Sequence, residues 1–183
     1  MEIIVGITGA SGAMYGIRLL EVLSEKGIKT HLVLTKAAKQ IIELETDYSP
    51  EAVQKLATWN HAPSDFSASI ASGSHVTGGM VIAPCSMKTL GAVANGISES
   101  LLTRAADVCL KEERKLILLT REMPLSLIHI ENLLKAKKAG ASILPACPGF
   151  YSRPKTIDDL IDTVVGRALD LLGIENDIYR RWE

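Results

Sequence analysis

The chain has 183 residues, of which 47% are hydrophobic and only 4% aromatic, and its 20 Lys and Arg against 21 Asp and Glu leave a net charge of −1. A chain of this length can bury one hydrophobic core, so a single domain over residues 1–183 is expected. The scarcity of aromatic rings and the lack of a positive field exclude nucleic-acid binding by base stacking or by attraction of phosphates.

Short apolar runs rich in β-branched residues recur along the chain and predict buried parallel strands. They lie at residues 3–7, 28–34, 80–83, 116–119 and 142–144. Amphipathic stretches predict helices at residues 14–25, 36–45, 86–94, 100–114, 128–139 and 157–172. The connection over residues 45–74 interrupts this alternation of strands and helices. It contains Ser49-Pro50-Glu51, which predicts a short helix. The fold class is therefore α/β, a doubly wound, Rossmann- or flavodoxin-like domain with a C-terminal arm at residues 174–183.

The cysteine spacing and the N-terminal residues predict a protein with reduced thiols and no membrane helix. The three cysteines have no Cys-x-x-Cys spacing, so neither disulfides nor a zinc site are predicted. The N-terminus has no basic region or cleavage site, and no apolar stretch reaches the roughly 18 residues of a membrane helix. A cytoplasmic location is expected. The histidines show no metal-ligand spacing and predict no metal site: His31, His61, His75 and His129.

Polar residues follow the predicted strands, at the edge where open α/β sheets bind ligands. Thr8-Gly9-Ala10-Ser11-Gly12 follows the first strand, and we expect its backbone amides to be free for an anion. Hydroxyls also follow the second and third strands, and an arginine follows the fourth, which together predict a phosphorylated cofactor. The Gly9 to Gly12 spacing does not fit the dinucleotide fingerprint, so a mononucleotide is favoured. Taken singly, Ser11 and Ser86 are also typical helix caps.

The segment Asp158-Asp159-Leu160-Ile161-Asp162 matches a motif that binds magnesium pyrophosphate in helical prenyl synthases. Here it follows Thr156 and opens a helix. Carboxylates are favoured in a first helical turn by the helix dipole and by capping, so we interpret the segment as a helix start.

Seven segments resemble the UbiX-type flavin prenyltransferases, a family formerly described as aromatic acid decarboxylases. They occur in family order at residues 6–16, 43–46, 84–90, 104–108, 121–126, 128–132 and 148–151, the last being Pro148-Gly149-Phe150-Tyr151. The match extends from residue 3 to Trp182. The resemblance implies an enzyme that joins a dimethylallyl group from dimethylallyl phosphate to N5 and C6 of reduced FMN without a metal. It also implies a homo-oligomer, a dodecamer, whose prenylated FMN is delivered to a UbiD-type decarboxylase.

The resemblance also implies site residues. FMN would be held by Gly9, Ala10, Ser11, Thr35, Ser86, Met87, Lys88, Thr89 and Arg121. The prenyl phosphate would be held by Tyr151 and Arg167, with Arg104 and Lys111 reaching it across a subunit interface. Catalytic roles would fall to Glu122, Ser11 and Glu45 in proton transfer and to Trp182 as an aromatic wall. The chain stops one residue after Trp182, so we expect little to clamp the arm.

Other functions are weighed against this one. A flavin-dependent aromatic or phenolic acid decarboxylase, or its small subunit, is the rival within the family. A cysteine-type flavoprotein decarboxylase is disfavoured, because such enzymes carry Pro-x-Met-Asn-x-x-Met-Trp where this chain has the motif ending in Tyr151. A flavin carrier would leave Glu122, Tyr151 and Arg167 without a role.

Overall fold

The computed structural model describes residues 1–182 and contains one parallel sheet with helices on both faces. Its strands are β1 (Glu2–Ile7), β2 (Lys29–Leu34), β3 (Trp59–His61), β4 (Met80–Cys85), β5 (Leu116–Thr120) and β6 (Ser142–Pro145). They pair in the order β3-β2-β1-β4-β5-β6, every pair parallel. The predicted α/β fold class is confirmed. The strand order reverses at β1 and β4, where folds of this type bind their ligands.

The sheet has six strands rather than the five that the sequence predicted. The additional strand, β3, lies inside the connection over residues 45–74, where no strand was predicted. Its residues Trp59-Asn60-His61 are exposed or only half-buried and pair along one side with β2. A short edge strand of this kind needs no buried apolar run, and so it leaves no clear signal in the sequence.

Residues 1–182 form seven α-helices, of which the first six lie between strands and the last follows β6. They are α1 (Ala13–Glu25), α2 (Lys36–Glu45), α3 (Pro50–Gln54), α4 (Met87–Ala94), α5 (Leu101–Lys111), α6 (Leu127–Lys138) and α7 (Ile157–Leu172). A hydroxyl of the preceding residue caps each helix from α2 to α7. At α7 the Thr156 and Asp159 side chains form a reciprocal capping box, which confirms the acidic segment as a helix start. α5 ends earlier than predicted, and Glu113, just beyond it, has a φ of 55°.

The core is divided by the sheet into two layers. Ile3, Val5 and Ile7 of β1 face α1 and α7, whereas Ile4 faces α4 and α5, as expected for alternating side chains of a fully covered strand. α6 differs, because Ala136 is its one fully buried residue. Among the helices formed by residues 1–182, none is long and apolar enough to cross a membrane. Of the predicted arm, Glu183 lies outside the described residues.

The close approach of α1 to the sheet depends on Gly16. A Cβ on Gly16 would lie 2.2 Å from the carbonyl oxygen of Ala83 and 2.8 Å from the Ile7 side chain. We expect Gly16→Ala to lower the free energy of unfolding by roughly 1–3 kcal/mol through overpacking, measured by urea denaturation followed by circular dichroism.

The matched control is Gly91→Ala in α4, where the nearest atom to an added Cβ is Asn132 Nδ2 at 3.5 Å. Helix propensity predicts no loss there and a gain of up to about 1 kcal/mol. An equal loss of stability in both variants would show that the contact between α1 and β4 is not the cause.

Candidate functional site

A cleft of about 650 Å³ opens at the carboxyl edge of the sheet, beyond β1, β2 and β4. Its volume lies within the roughly 300–1,000 Å³ that is usual for small-molecule and cofactor sites. The residues predicted to bind a cofactor contribute Gly9, Thr35, Ser86, Lys88 and Thr89 to its lining. Other lining residues are Thr8, Lys36, Ala37, Gln40, Pro63, Ala92, Ile97, Glu99, Ser100, Leu102 and Thr103.

The buried hydroxyl of Thr8 joins the two loops that border the cleft. Thr8 Oγ1 donates a hydrogen bond of 2.6 Å to the carbonyl oxygen of Pro84 and accepts one of 2.9 Å from the backbone amide of Ser86. The loop after β1 is thereby fixed to the loop after β4. The sequence interpretation treated Thr8 only as part of a glycine-rich loop. A hydroxyl at the end of an otherwise apolar strand was the available signal for its role.

The start of α4 presents donors to the cleft. Ser86 Oγ accepts a hydrogen bond of 3.3 Å from the Thr89 amide and donates one of 3.1 Å to Thr89 Oγ1. Ser86 is therefore both a helix cap and a cleft residue. The helix dipole and the nearby Lys88 make this a favourable place for a negative charge. Met87 takes no part in the lining, since its side chain packs against the core on the α4 and α5 side of the sheet.

At the end of the first-strand loop, the Gly12 amide is not free for an anion as the sequence predicted. Glu45, the last residue of α2, accepts hydrogen bonds of 2.7 Å and 3.4 Å from the amides of Gly12 and Ala13 at the start of α1. Gly12 adopts a φ of 98°, which favours glycine. The Glu45 carboxylate therefore occupies the end of α1 that was expected to bind an anion.

The environment of Glu45 keeps its carboxyl group ionised. Burial raises its pKa, but the Ser11 side chain, the amides of Gly12 and Ala13, and the charge of Arg121 together outweigh burial, so the pKa is lowered. Arg121 Nε also donates a hydrogen bond of 3.1 Å to the carbonyl oxygen of Ser11. Ser11, Glu45 and Arg121 thus form one connected group.

Glu122 and the aromatic pair occupy exposed positions around this edge. The Glu122 carboxylate accepts a hydrogen bond of 3.1 Å from the Met123 amide and is open to solvent. Tyr151, after β6, and Trp182, in the arm, meet edge to face with ring centroids 5.2 Å apart. Their side chains are 45% and 78% exposed, so they can contact a ligand.

The C-terminal arm is clamped, which corrects the expectation that little would hold it. Asp170 of α7 accepts hydrogen bonds from Tyr179 at 2.6 Å, from Arg181 at 2.8 Å and from Asn176 at 2.9 Å, all on the arm. Arg167 also donates to Asp170 at 2.8 Å. Burial raises the pKa of Asp170, but the hydrogen bonds from Arg181, Tyr179 and Asn176 outweigh it and lower the pKa to about 2.

Arg104 and Lys111 lie away from these residues within one chain. Both are on α5, which packs on the opposite face of the sheet from α7 and Arg167. Arg104 donates hydrogen bonds of 3.1 Å to the Ala71 carbonyl oxygen and 2.8 Å to Asp107, and Lys111 pairs with Glu112. If both serve the same phosphate as Arg167, they must do so from another subunit.

Comparison with known proteins identifies the family. A family model described as Flavoprotein matches residues 1–169. The flavin prenyltransferase UbiX of Methanothermobacter thermautotrophicus is 52% identical, over 98% of this chain and 94% of that protein. The chain belongs to the UbiX flavin prenyltransferase family.

Solved UbiX-type structures share the whole fold. The crystal structure of AnUbiX (PadA1) in complex with FMN and dimethylallyl pyrophosphate is 47% identical, covers 100% of this chain and 97% of its own, and has a TM-score of 0.98. A dodecameric FMN-dependent UbiX-like decarboxylase from Escherichia coli O157:H7 is 50% identical over 100% of both chains, also with a TM-score of 0.98.

The Thr8 hydroxyl in this UbiX-family cleft can be tested by Thr8→Val, which keeps the shape of the side chain. The Ser86 amide would lose its partner, and we expect a loss of roughly 1–3 kcal/mol in the free energy of unfolding. Thr77→Val is the matched control, because the buried Thr77 hydroxyl has no hydrogen-bond partner among residues 1–182. In chemical denaturation the control should have an unchanged or higher free energy of unfolding. A Thr8→Val protein as stable as the wild type would show that the Thr8 hydroxyl does not hold the two loops together.

The Asp170 clamp predicts a dependence of stability on acid. Its pKa is depressed on folding, from 3.8 to about 2, so its contribution is fully present above pH 4 and is lost as the pH falls through about 2. Such a shift corresponds to roughly 2 kcal/mol. Between pH 4 and pH 2 the wild type should lose about that much more stability than Asp170→Asn.

The same variant should free the arm at neutral pH. We expect trypsin to cut after Arg180 and Arg181 at least about tenfold faster in Asp170→Asn, followed by mass spectrometry. Asp177→Asn, an exposed aspartate of the arm, is the control and should be cut at the wild-type rate. Equal rates in all proteins would contradict the clamp.

Proposed function

We propose that this chain binds reduced FMN in the cleft and joins to its N5 and C6 a dimethylallyl group from dimethylallyl phosphate. The observation that carries the proposal is a cofactor-sized cleft at the sheet edge that is lined by hydroxyls and a lysine, with an ionised carboxylate and an aromatic pair nearby. Membership of the UbiX family supports this reading of the geometry.

The phosphate of FMN is assigned to the start of α4 and to Thr35. Thr35, Ser86, Lys88 and Thr89 line the cleft and present hydroxyls and an ammonium group, the donor set that a phosphate monoester requires. The start of α1 is unsuitable, because Glu45 already occupies it. Met87 contributes through its backbone amide, one of the unpaired donors at the first turn of α4.

The flavin ring is assigned to the space between the loop after β1 and the loop after β5. Gly9 and Ala10 present little side chain there, so a planar ring can approach the backbone. Arg121 is held by the carbonyl oxygen of Ser11 and supplies a positive charge beside the ring. When bound, reduced FMN supplies the electron-rich ring positions that the dimethylallyl group alkylates.

Proton transfer is assigned to carboxylates near the ring. Glu45 is ionised and adjoins the Ser11 side chain, so it is assigned as a second carboxylate, with the Ser11 hydroxyl as a relay. Glu122 is exposed at the end of β5 and is the carboxylate that can move a proton to or from the departing phosphate.

The prenyl phosphate is assigned to Tyr151 and Arg167. Departure of a monophosphate develops negative charge, which a guanidinium and a phenol stabilise by charge and hydrogen bonding. Asp170 holds Arg167 in place, and the same aspartate anchors the arm that carries Trp182. The Trp182 and Tyr151 rings then offer a π-rich wall to an allylic group bearing partial positive charge.

A homo-oligomer is part of the proposal, and the dodecamer reported for the Escherichia coli relative favours that size. α6 presents an apolar surface, with Leu127, Ile128, Ile130 and Leu134 each at least half exposed. An apolar surface of this kind is typical of subunit interfaces. Assembly would also allow Arg104 and Lys111 of one subunit to face the prenyl phosphate held by another.

The proposed destination of the product is a UbiD-type decarboxylase, and its support is the family resemblance. The proposed location is the cytoplasm, where thiols are kept reduced. The free cysteines are consistent with that location: Cys85, Cys109 and Cys147. Burial raises the pKa of the Cys85 thiol to about 12 and that of the Cys109 thiol to about 11, so both thiols stay protonated.

The activity is tested by anaerobic incubation of the protein with reduced FMN and dimethylallyl phosphate. Mass spectrometry should show a flavin heavier by one prenyl unit. Unchanged FMN, with FMN still bound to folded protein, would contradict the proposal. Release of carbon dioxide from a phenolic acid by the protein alone would favour the decarboxylase reading instead.

The role of Glu122 is tested by Glu122→Gln, which keeps the size of the side chain. We expect FMN binding to be retained and turnover to fall by at least about 100-fold, since general acid–base catalysis contributes roughly 10²–10⁴. Glu131→Gln, on the exposed face of α6, is the control and should turn over normally. An unchanged rate in Glu122→Gln would remove Glu122 from the mechanism.

A further inference from the structure

Three of the four histidines meet in one cluster, away from the cleft. His31 lies in β2, His61 in β3 and His75 in the connection before β4, and Glu2, the first residue of β1, joins them. Cofactor residues occupy the carboxyl edge of the sheet, whereas Glu2 begins β1 at the opposite edge. The cluster takes no part in the chemistry proposed above.

The ligand atoms of Glu2, His31 and His75 all lie within 4.8 Å of one another. One oxygen of Glu2 is 3.1 Å from His31 Nε2 and 3.0 Å from His75 Nε2. Tetrahedral coordination with Zn–N and Zn–O bonds of about 2.0–2.1 Å places neighbouring ligand atoms roughly 3.4 Å apart. A metal ion can therefore be shared by the three side chains after small movements.

The hydrogen bonding of the cluster is incomplete without a cation. His75 Nε2 is buried, and its contact of 3.0 Å with the Glu2 carboxylate does not meet the geometry of a hydrogen bond, so it is left without one among residues 1–182. A buried nitrogen without a partner is costly. A metal ion between this nitrogen and the Glu2 carboxylate would satisfy both groups.

The surroundings of His31 are typical of a metal-binding histidine. Its side chain is only 4% exposed and stacks on Trp59, with ring centroids 4.4 Å apart. Its Nδ1 lies 2.9 Å from His61 Nε2. If Nε2 binds a metal, Nδ1 carries the proton and donates a hydrogen bond to His61 Nε2. A hydrogen bond of this kind, from the ring nitrogen that does not bind the metal, orients most metal-bound histidines.

The loop that carries the second imidazole is held in place. Arg114 donates hydrogen bonds to the carbonyl oxygens of Gly73 and His75, the latter at 2.7 Å, and so fixes the loop that carries His75.

We propose that Glu2, His31 and His75 form a binding site for a divalent transition metal, with Zn²⁺ as the preferred ion and His61 as the outer partner. Two imidazoles and one carboxylate suit Zn²⁺, and a water completes the tetrahedron. The ion would link β1, β2 and the connection before β4. Its role is to stabilise this edge of the sheet, independent of the flavin site.

The test is titration of Zn²⁺ into tag-free protein that has been stripped with chelator, followed by calorimetry. We expect one ion per chain, and binding at least about tenfold weaker in His75→Ala and in Glu2→Gln. His129→Ala is the matched control, because His129 lies on α6 outside the cluster, and it should bind like the wild type. The same isotherm is expected with and without FMN.

A second measurement guards against misfolded variants. Co²⁺ bound in the same place should give the intense visible absorption of a tetrahedral site, and Zn²⁺ should raise the melting temperature of the wild type but not of His75→Ala. Circular dichroism must show each variant folded. No stoichiometric binding, or binding that survives in a Glu2→Gln and His75→Ala double variant, would overturn the proposal.

Discussion

The buried hydroxyl of Thr8 is the interaction on which the functional edge of the sheet depends. It joins the ends of β1 and β4 at the point where the strand order reverses. Through the Ser86 amide it also fixes the first turn of α4, and with it the hydroxyls of Ser86 and Thr89. Because the sheet and both loops are held together there, the cleft can exist before any ligand enters, which lowers the entropic cost of binding.

The charged groups at this edge make the start of α1 and the start of α4 different in character. Glu45 neutralises the positive end of α1, and Arg121 stands beside it. The positive end of α4 stays available for the phosphate of a mononucleotide, and the arginine held by Asp170 stays available for a second phosphate. The two anions of the proposed reaction would therefore have separate places.

Local sequence patterns predicted the elements but not the contacts between distant ones. The apolar run at Ile3–Ile7 identified a buried strand because a sheet covered on both faces requires continuous apolarity. The short edge strand at Trp59–His61 has no such requirement and was missed. The expectation of a free amide was wrong at Gly12, because its partner, Glu45, lies 33 residues away along the chain. The arm was expected to be loose because the chain stops one residue after Trp182, whereas the arm is anchored before that point, by Asp170 of α7. Thr35, Ser86 and Lys88 were placed at the cleft because strand ends share one edge in a parallel sheet.

The proposed reaction depends on binding of the FMN phosphate at the start of α4 and not at the start of α1. A crystal structure of the protein soaked with FMN would test this. Phosphate oxygens should lie within hydrogen-bond distance of Ser86, Thr89 and Thr35, with the Gly12 amide still bound to Glu45. A phosphate on the amides of Gly12 and Ala13, with Glu45 displaced from them, would contradict it.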